Sequence, residues 1–232
     1  MQRLHCLSSK ATGRLLLALA QDFDPDSPDR AWVESIGGVD AAARVRAGQS
    51  LDVVVLAADV IDALIREGHL LGPRFDVARS ATVVAVRTGL PHPSIATPQA
   101  LRRAVESARA IAFSTGPSGV ALTRLFETWG IAGAIADRLV QAPAGIPVGQ
   151  LLADGQADLG FQQHSELMHV PGIDILGPMP AEIEIVTTFA AAQSVFSPDP
   201  GRAQAFLAML VAESADALKI REGMEPVGTS AG

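Results

Sequence analysis

LDVVVLAADVIDALIREGHL, residues 51–70, decides how the rest of the chain is read. Its opening, LDVVVL (51–56), is a continuous β-branched run. Such a run suggests a parallel strand buried on both faces, because a half-exposed strand would alternate apolar and polar residues. Asp59 to Glu67 then has the spacing of a helix, and Gly68 stops it. Outward from this unit the alternation repeats. Upstream, RLHCL (3–7) reads as a strand, SSKATG (8–13) as a loop, and residues 14–22 as a helix with Leu15, Leu16 and Leu19 on one face. Residues 38–47 read as a second short helix stopped by Gly48.

Downstream, ATVVAV (81–86) is a strand, and Thr97-Pro98 opens a helix that runs to about residue 108. Thr97 can cap it and Pro98 suits its first turn. AIAFS (110–114) is a strand, followed by the loop TGPSG and a helix to Trp129. Residues 138–141 and 157–161 are short strands around a helix at 146–153, and ILGPMP (175–180) is a turn region. IEIVTTFAA (183–191) reads as a longer strand, residues 201–211 and 213–221 as C-terminal helices, and VGTSAG (227–232) as a frayed tail. Strand–helix alternation of this kind gives an α/β fold with parallel sheets. Two long strands, 75–87 and 183–191, bracket the middle third of the chain.

The composition sets limits. With 232 residues, 48% of them hydrophobic and 19% charged, the chain can bury one large core or two of about 100 residues each. The formal charge of −7, with no basic run, argues against nucleic acid as a partner. An anionic ligand would have to be attracted locally, by a few cationic groups and backbone N–H groups. The single cysteine, Cys6, allows no intrachain disulfide and reads as an inert strand residue. The chain has no tyrosine, so an aromatic cage is not expected. LLLALAQ (15–21) resembles a short signal core, but its uncharged run is shorter than the about 7–15 residues a leader needs. It reads as the buried face of the first helix. No stretch of about 20 apolar residues is available for a membrane span. The expected location is periplasmic if a leader was removed, and otherwise cytoplasmic.

Several segments together resemble the molybdate-binding-like branch of the type 2 periplasmic-binding superfamily. They are residues 51–70, FDVARSATVVAVRTGLPHPSI (75–95), AIAFSTGPSGV (110–120), ADLGFQQHSELMHVPGIDILGPMPAEI (157–183) and EGMEP (222–226). Their order and spacing match from about residue 3 to residue 227, and the subfamily is similar to that of bacterial aconitate isomerase. The resemblance implies a two-lobed type 2 periplasmic-binding fold with parallel or mixed sheets flanked by helices. It implies lobe 1 from 1–80 and 190–232, lobe 2 from 81–189, and a ligand cleft between them at the carboxyl ends of strands. It also implies a site built from the loops after strands 1 and 3, the crossing segment and the first loops of lobe 2.

The residues at those places suit an anion. Ser8, Ser9 and Thr12 can donate hydroxyls, and the helix after them offers free N–H groups and a positive dipole end. Plain capping would also explain them, and Lys10 can be either solvated or a ligand contact. STGPSG (114–119) repeats the arrangement: Ser114 and Ser118 supply hydroxyls, while Gly116 and Gly119 allow close backbone approach. Arg79 and Ser80 sit at the first crossing, where the resemblance implies an Arg-Ser pair. Arg79 is the expected carboxylate clamp, against an alternative structural ion pair with Asp76 or a neighbour. Gln162 and Gln163 follow the strand ADLGF, and one of them, taken as Gln162, should meet the ligand. His164 and Glu166 are the speculative catalytic pair; an exposed histidine at a helix start is the plainer reading of His164.

His5, His69, His92 and His169 show no metal-ligand spacing, so no metal and no cofactor is expected. Glu182 and Glu184 read as a solvated edge. Three functions remain open. One is a substrate-binding protein that passes a small carboxylate or oxyanion to an ABC-type membrane transporter. Another is an enzyme of the aconitate isomerase kind, moving a proton on a tricarboxylate. The third is an intracellular ligand-sensing domain.

Overall fold

The structure is a computed structural model that describes residues 3–23, 30–143 and 145–228. The end of the tail expected to fray, residues 229–232, lies outside the described residues. The chain begins with strand β1 (His5–Ser9), helix α1 (Lys10–Asp22), strand β2 (Trp32–Ile36) and helix α2 (Gly38–Arg46). Strand β3 (Val53–Ala57) and helix α3 (Ala58–Arg66) follow, then the 18-residue strand β4 (Leu70–Arg87). Next come α4 (Pro98–Ser107), β5 (Ile111–Phe113), α5 (Pro117–Thr128), α6 (Ala132–Ile135), β6 (Leu139–Gln141) and α7 (Val148–Ala153). The remainder is β7 (Leu159–Gln163), α8 (His164–Leu167), β8 (Ile173–Pro178), β9 (Val186–Ser194), α9 (Pro200–Val211), α10 (Asp216–Arg221) and β10 (Glu225–Pro226).

The described chain divides into two compact units, residues 1–80 with 188–232 and residues 81–187. It passes from one to the other inside β4 and again inside β9. In unit 1 the strand order is β2-β1-β3-β9, with β2, β1 and β3 parallel and β9 antiparallel to β3. The run at 53–57 behaves as its composition requires. Val53 and Val55 enter a core with Leu15, Leu16 and Leu19 of α1 and Phe206, Leu207 and Leu210 of α9. Val54 and Leu56 point to the other face, against Ala41, Ala42 and Val45 of α2 and Ile61 and Leu64 of α3. The two-residue period of a strand sends alternate side chains to opposite faces, so a strand covered on both sides must be apolar throughout. Each fully buried valine or leucine contributes about 1.5–3 kcal/mol. Asp52, buried at the entry to this strand, accepts hydrogen bonds from His5 N (2.8 Å) and Ser197 Oγ (2.6 Å). Burial, with the Asp52 charge added, pushes the Cys6 thiol far up, so it stays protonated and inert.

Unit 2 has the strand order β4-β7-β5-β6, with β8 on the other edge of β4. β7, β5 and β6 are mutually parallel and β4 is antiparallel to β7. Ile111, Phe113, Leu159 and Phe161 pack with Leu101 of α4 and Leu122 and Phe126 of α5 on one face. Ala112, Val83 and Ala85 meet Val148, Leu151 and Leu152 of α7 on the other.

Three local expectations change. Residues 8–13 are not a loop: the strand runs to Ser9, which pairs with Ile36 of the unforeseen β2, and the helix starts at Lys10. Residues 173–178 form β8 on β4, with a register shift at Val84/Ala85 that accommodates Gly177-Pro178. The strand expected to start at residue 75 starts at Leu70.

Candidate functional site

Unit 1 gathers helix N-termini at one sheet edge. Because β2, β1 and β3 are parallel, their carboxyl ends lie together, and each leads directly into a helix: α2, α1 and α3. The N-cap positions are Gly37, Ser9 and Ala57, and none carries a side-chain capping hydrogen bond. Asp40 and Asp59 stand in the first turns of α2 and α3, where the helix dipole favours negative charge. α2 starts close to Ser9: a Cβ placed on Gly38 would lie 3.9 Å from Ser9 Cβ.

The serines at this edge differ. Ser8 is fully buried and its Oγ lies 2.7 Å from Ser35 Oγ. Thr12 is fully buried and its Oγ1 donates to Ser9 O at 3.2 Å. Ser9 is 8% exposed, and its Oγ meets no hydrogen-bonding partner among the described residues. A buried hydroxyl without a partner costs about 1–3 kcal/mol, and such groups mark places that wait for something. Lys10 is the first residue of α1, where the helix dipole disfavours a cation unless an anion is nearby.

Arg79 lies on β4 within unit 1, exposed, with Glu225 as its ladder partner. No ion pair joins it to a described residue. Asp76, the expected structural partner, accepts instead from Arg74 Nε at 2.9 Å. Ser80 beside it is 1% exposed. The described hydrogen bonds bring Ser8 and Thr12 together with Ser9 but do not join Arg79 to them.

Unit 2 presents the ends of β5, β6 and β7. After β5 the chain turns through Ser114 into α5, with Gly116 as N-cap and Pro117 in the first turn. Ser114 Oγ and Ser118 Oγ are 3.2 Å apart. Gly119 makes the turn possible: a Cβ there would lie 1.8 Å from Ser114 O, which no side chain survives.

The two glutamines that end β7 face opposite ways. Gln162 points to the α7 face, where its Oε1 accepts from Val148 N (2.9 Å) and its Nε2 donates to Glu166 Oε2 (2.6 Å). Both ends of the Gln162 amide thus serve unit 2 itself, capping α7 and fixing Glu166. Gln163 shares its face with Phe161, the side covered by α5. Its Nε2 donates to Thr187 Oγ1 (2.7 Å), while its Oε1 is buried without a described partner.

His164 opens the four-residue α8 and is half-buried rather than exposed. Burial, reinforced by the charge of His169, lowers its pKa below the ordinary histidine value, so it is neutral at pH 7. Glu182 and Glu184 are exposed. No cluster of three or more metal-ligating side chains occurs among the described residues. No helix among them is long and apolar enough to cross a membrane.

The sequence reading missed Ser35 and the Gly37–Gly38 turn, because β2 was not recognised. SIGG (35–38) before a helix is a strand–helix signal of the same kind as the two that were read. Thr82 and Thr187 lie in apolar strands with no local signature to single them out.

Comparison with known proteins agrees with this architecture. The family described as bacterial extracellular solute-binding protein matches residues 4–225. An aconitate isomerase from Pseudomonas sp is 35% identical over 186 residues, covering 79% of this chain and 71% of that protein. The periplasmic molybdate-binding protein of Azotobacter vinelandii superposes with a TM-score of 0.81 at 21% identity, over 97% of this chain and 100% of that one. The substrate binding protein of an ABC transporter from Agrobacterium tumefaciens gives 0.77 at 16% identity, over 100% and 81%. These two likenesses establish the type 2 periplasmic-binding fold.

Proposed function

The chain belongs to the family of bacterial extracellular solute-binding proteins, and from that premise we propose that it captures a small di- or tricarboxylate for delivery to an ABC-type transporter. The observation that carries the reading is the unit 1 edge, where three helices start at neighbouring strand ends and the buried Ser9 hydroxyl at the start of α1 has no described partner. This arrangement offers N–H and O–H donors with positive dipole ends, and it suits an anion even in a chain of net charge −7. The aconitate isomerase relative favours a carboxylate over a tetrahedral oxyanion, and Arg79 can hold one. Its fork is exposed and engaged in no described ion pair, and a planar guanidinium matches a planar carboxylate in two parallel bonds. The relative from Agrobacterium supports the transporter as partner, and the family description supports work outside the cytoplasmic membrane.

A thermal-shift screen tests this reading. Citrate, cis- and trans-aconitate, tricarballylate, molybdate, sulfate and phosphate are compared at equal ionic strength. A ligand at 100 times its Kd stabilises by about 2.7 kcal/mol, enough to raise the Tm by a few degrees. A carboxylate should give the largest shift. A shift with sulfate or molybdate alone overturns the carboxylate assignment.

Two observations favour a second reading, an isomerase of tricarboxylates: the curated relative, and the half-buried neutral His164 beside Glu166. A neutral imidazole can take a proton from the carbon flanking a carboxylate. The double bond then shifts by one carbon, the same proton or another is returned at the far end of the three-carbon allylic unit, and nearby donors hold the charge that develops. Incubation with trans-aconitate in heavy water, followed by NMR, decides it. Growth of cis-aconitate or deuterium in the methylene supports the isomerase; tight binding with neither leaves a receptor.

A further inference from the structure

We propose that Thr82, Gln163 and Thr187 form a subsite in unit 2 that recognises a hydroxyl group, so that the solute is a hydroxylated di- or tricarboxylate. The inference rests on the carboxylate reading and narrows it. The three side chains are buried, at 1%, 4% and 8% exposure. Thr82 and Gln163 are ladder partners in the antiparallel β4/β7 pair, so their side chains leave the same face of the sheet. Thr82 N donates to Ile185 O at 2.8 Å, which holds the segment leading to Thr187 beside them. Gln163 Nε2 donates to Thr187 Oγ1 at 2.7 Å.

Two atoms of this group, Thr82 Oγ1 and Gln163 Oε1, are buried and meet no hydrogen-bonding partner among the described residues. Buried polar atoms are nearly always paired, so two neighbouring exceptions on one face require an explanation. An amide carbonyl only accepts, whereas a threonine hydroxyl both donates and accepts. One group that serves both must give a hydrogen to Gln163, and an O–H does so while its oxygen can also take one from Thr82. With the amide oxygen and nitrogen exchanged, an O–H still fits but a carboxylate fits as well, and the paired hydroxy and deoxy acids below separate the two. Thr187 Oγ1 can donate as well as accept, and an O–H also accepts from the N–H then left over. A fully ionised carboxylate or oxyanion has no hydrogen to give the carbonyl. Placement agrees with the chemistry: Gln163 lies at the end of β7 on the α5-covered face, and the first turn of α5 carries Ser118.

Isothermal titration calorimetry on the full chain, with carboxylate pairs that differ by one hydroxyl, tests the subsite. The pairs are malate with succinate, and citrate with tricarballylate. In the better-binding pair the hydroxy acid should bind the parent about tenfold tighter or more, since the deoxy acid leaves buried groups unpaired. Thr82→Val and Gln163→Met, each alone and combined, should bring that ratio towards about one while the deoxy acid binds within about threefold of the parent. The single variants serve if the combined one melts early. Equal affinities within both parent pairs overturn the subsite and leave the carboxylate reading standing, with water meeting the two atoms. A hydroxyl preference that persists in the variants also overturns it, because other residues then read the hydroxyl. Binding of sulfate or molybdate with no carboxylate overturns both.

Discussion

The candidate edge of unit 1 is built mainly from backbone, and that of unit 2 mainly from side chains. In unit 1, α1, α2 and α3 start at neighbouring strand ends with no side-chain cap, and one buried hydroxyl, Ser9, lacks a described partner. In unit 2 the turn into α5 is one helix start of comparable length, and the groups left over are a glutamine carbonyl and a threonine hydroxyl. Backbone N–H groups favour any anion of suitable size, because every helix start offers the same donors and the same dipole. Side-chain amides and hydroxyls have fixed directions and mixed donor and acceptor character, and they can separate one oxygen-rich solute from another. On the proposed reading unit 1 supplies the general attraction and unit 2 the discrimination.

Substitutions can break that contrast, and the largest effect is expected at Arg79. Arg79→Ala should weaken carboxylate binding by about 2–5 kcal/mol in calorimetry, and Arg79→Lys should recover only part because a point charge cannot reproduce the fork. An Arg79→Ala protein that binds as tightly as the parent removes Arg79 from the site. Gly119→Ala should come next. Its Cβ meets backbone, Ser114 O at 1.8 Å, so the turn must move, at about 1–3 kcal/mol of stability in chemical denaturation. Gly13→Ala in unit 1 meets Ser35 Oγ at 2.6 Å and Ser35 Cβ at 2.9 Å; the hydroxyl can rotate but the Cβ moves only with β2, and the cost should still be below that at Gly119, where the clash is closer and with backbone. A larger loss at Gly13 would show that the Ser8–Ser35 contact, not the α5 turn, is the stiffer element.

Ser9→Ala is a smaller and more diagnostic change. It should cost about 0.5–1.5 kcal/mol of ligand affinity while leaving the unliganded protein as stable as before or slightly more so, because a buried hydroxyl without a partner is removed. The smallest effect concerns His164. Its folded pKa lies below the ordinary 6.5, chiefly through burial, so between those two values the unfolded chain binds more protons than the folded one. Stability should therefore decline as pH falls from the ordinary histidine value to the depressed one, and His164→Gln should flatten that part of a Tm–pH profile.

How far the sequence reached follows the same division. The unbroken run at 53–57 was legible because burial on both faces leaves no room for polar alternation, and the α/β class follows from it. The cap of α4 was legible too: Thr97 Oγ1 accepts from Ala100 N at 3.2 Å. β2 was not, because WVESI is partly exposed along its length and lacks a sustained apolar pattern. In the candidate site, the strand–helix junction at Ser9 was legible, while which of Gln162 and Gln163 lies on the α5 face was not. Adjacent residues on a strand take opposite faces, and which face carries α5 rather than α7 depends on packing that no local pattern records.

The most direct test of the account is a calorimetric titration of the parent chain with the carboxylate that gives the largest thermal shift, repeated on Ser9→Ala and on Gln163→Met. The account predicts one ligand per chain in the parent, and weaker binding in both variants. Carboxylate binding that neither substitution disturbs, or no carboxylate binding beside clear binding of sulfate or molybdate, would contradict it.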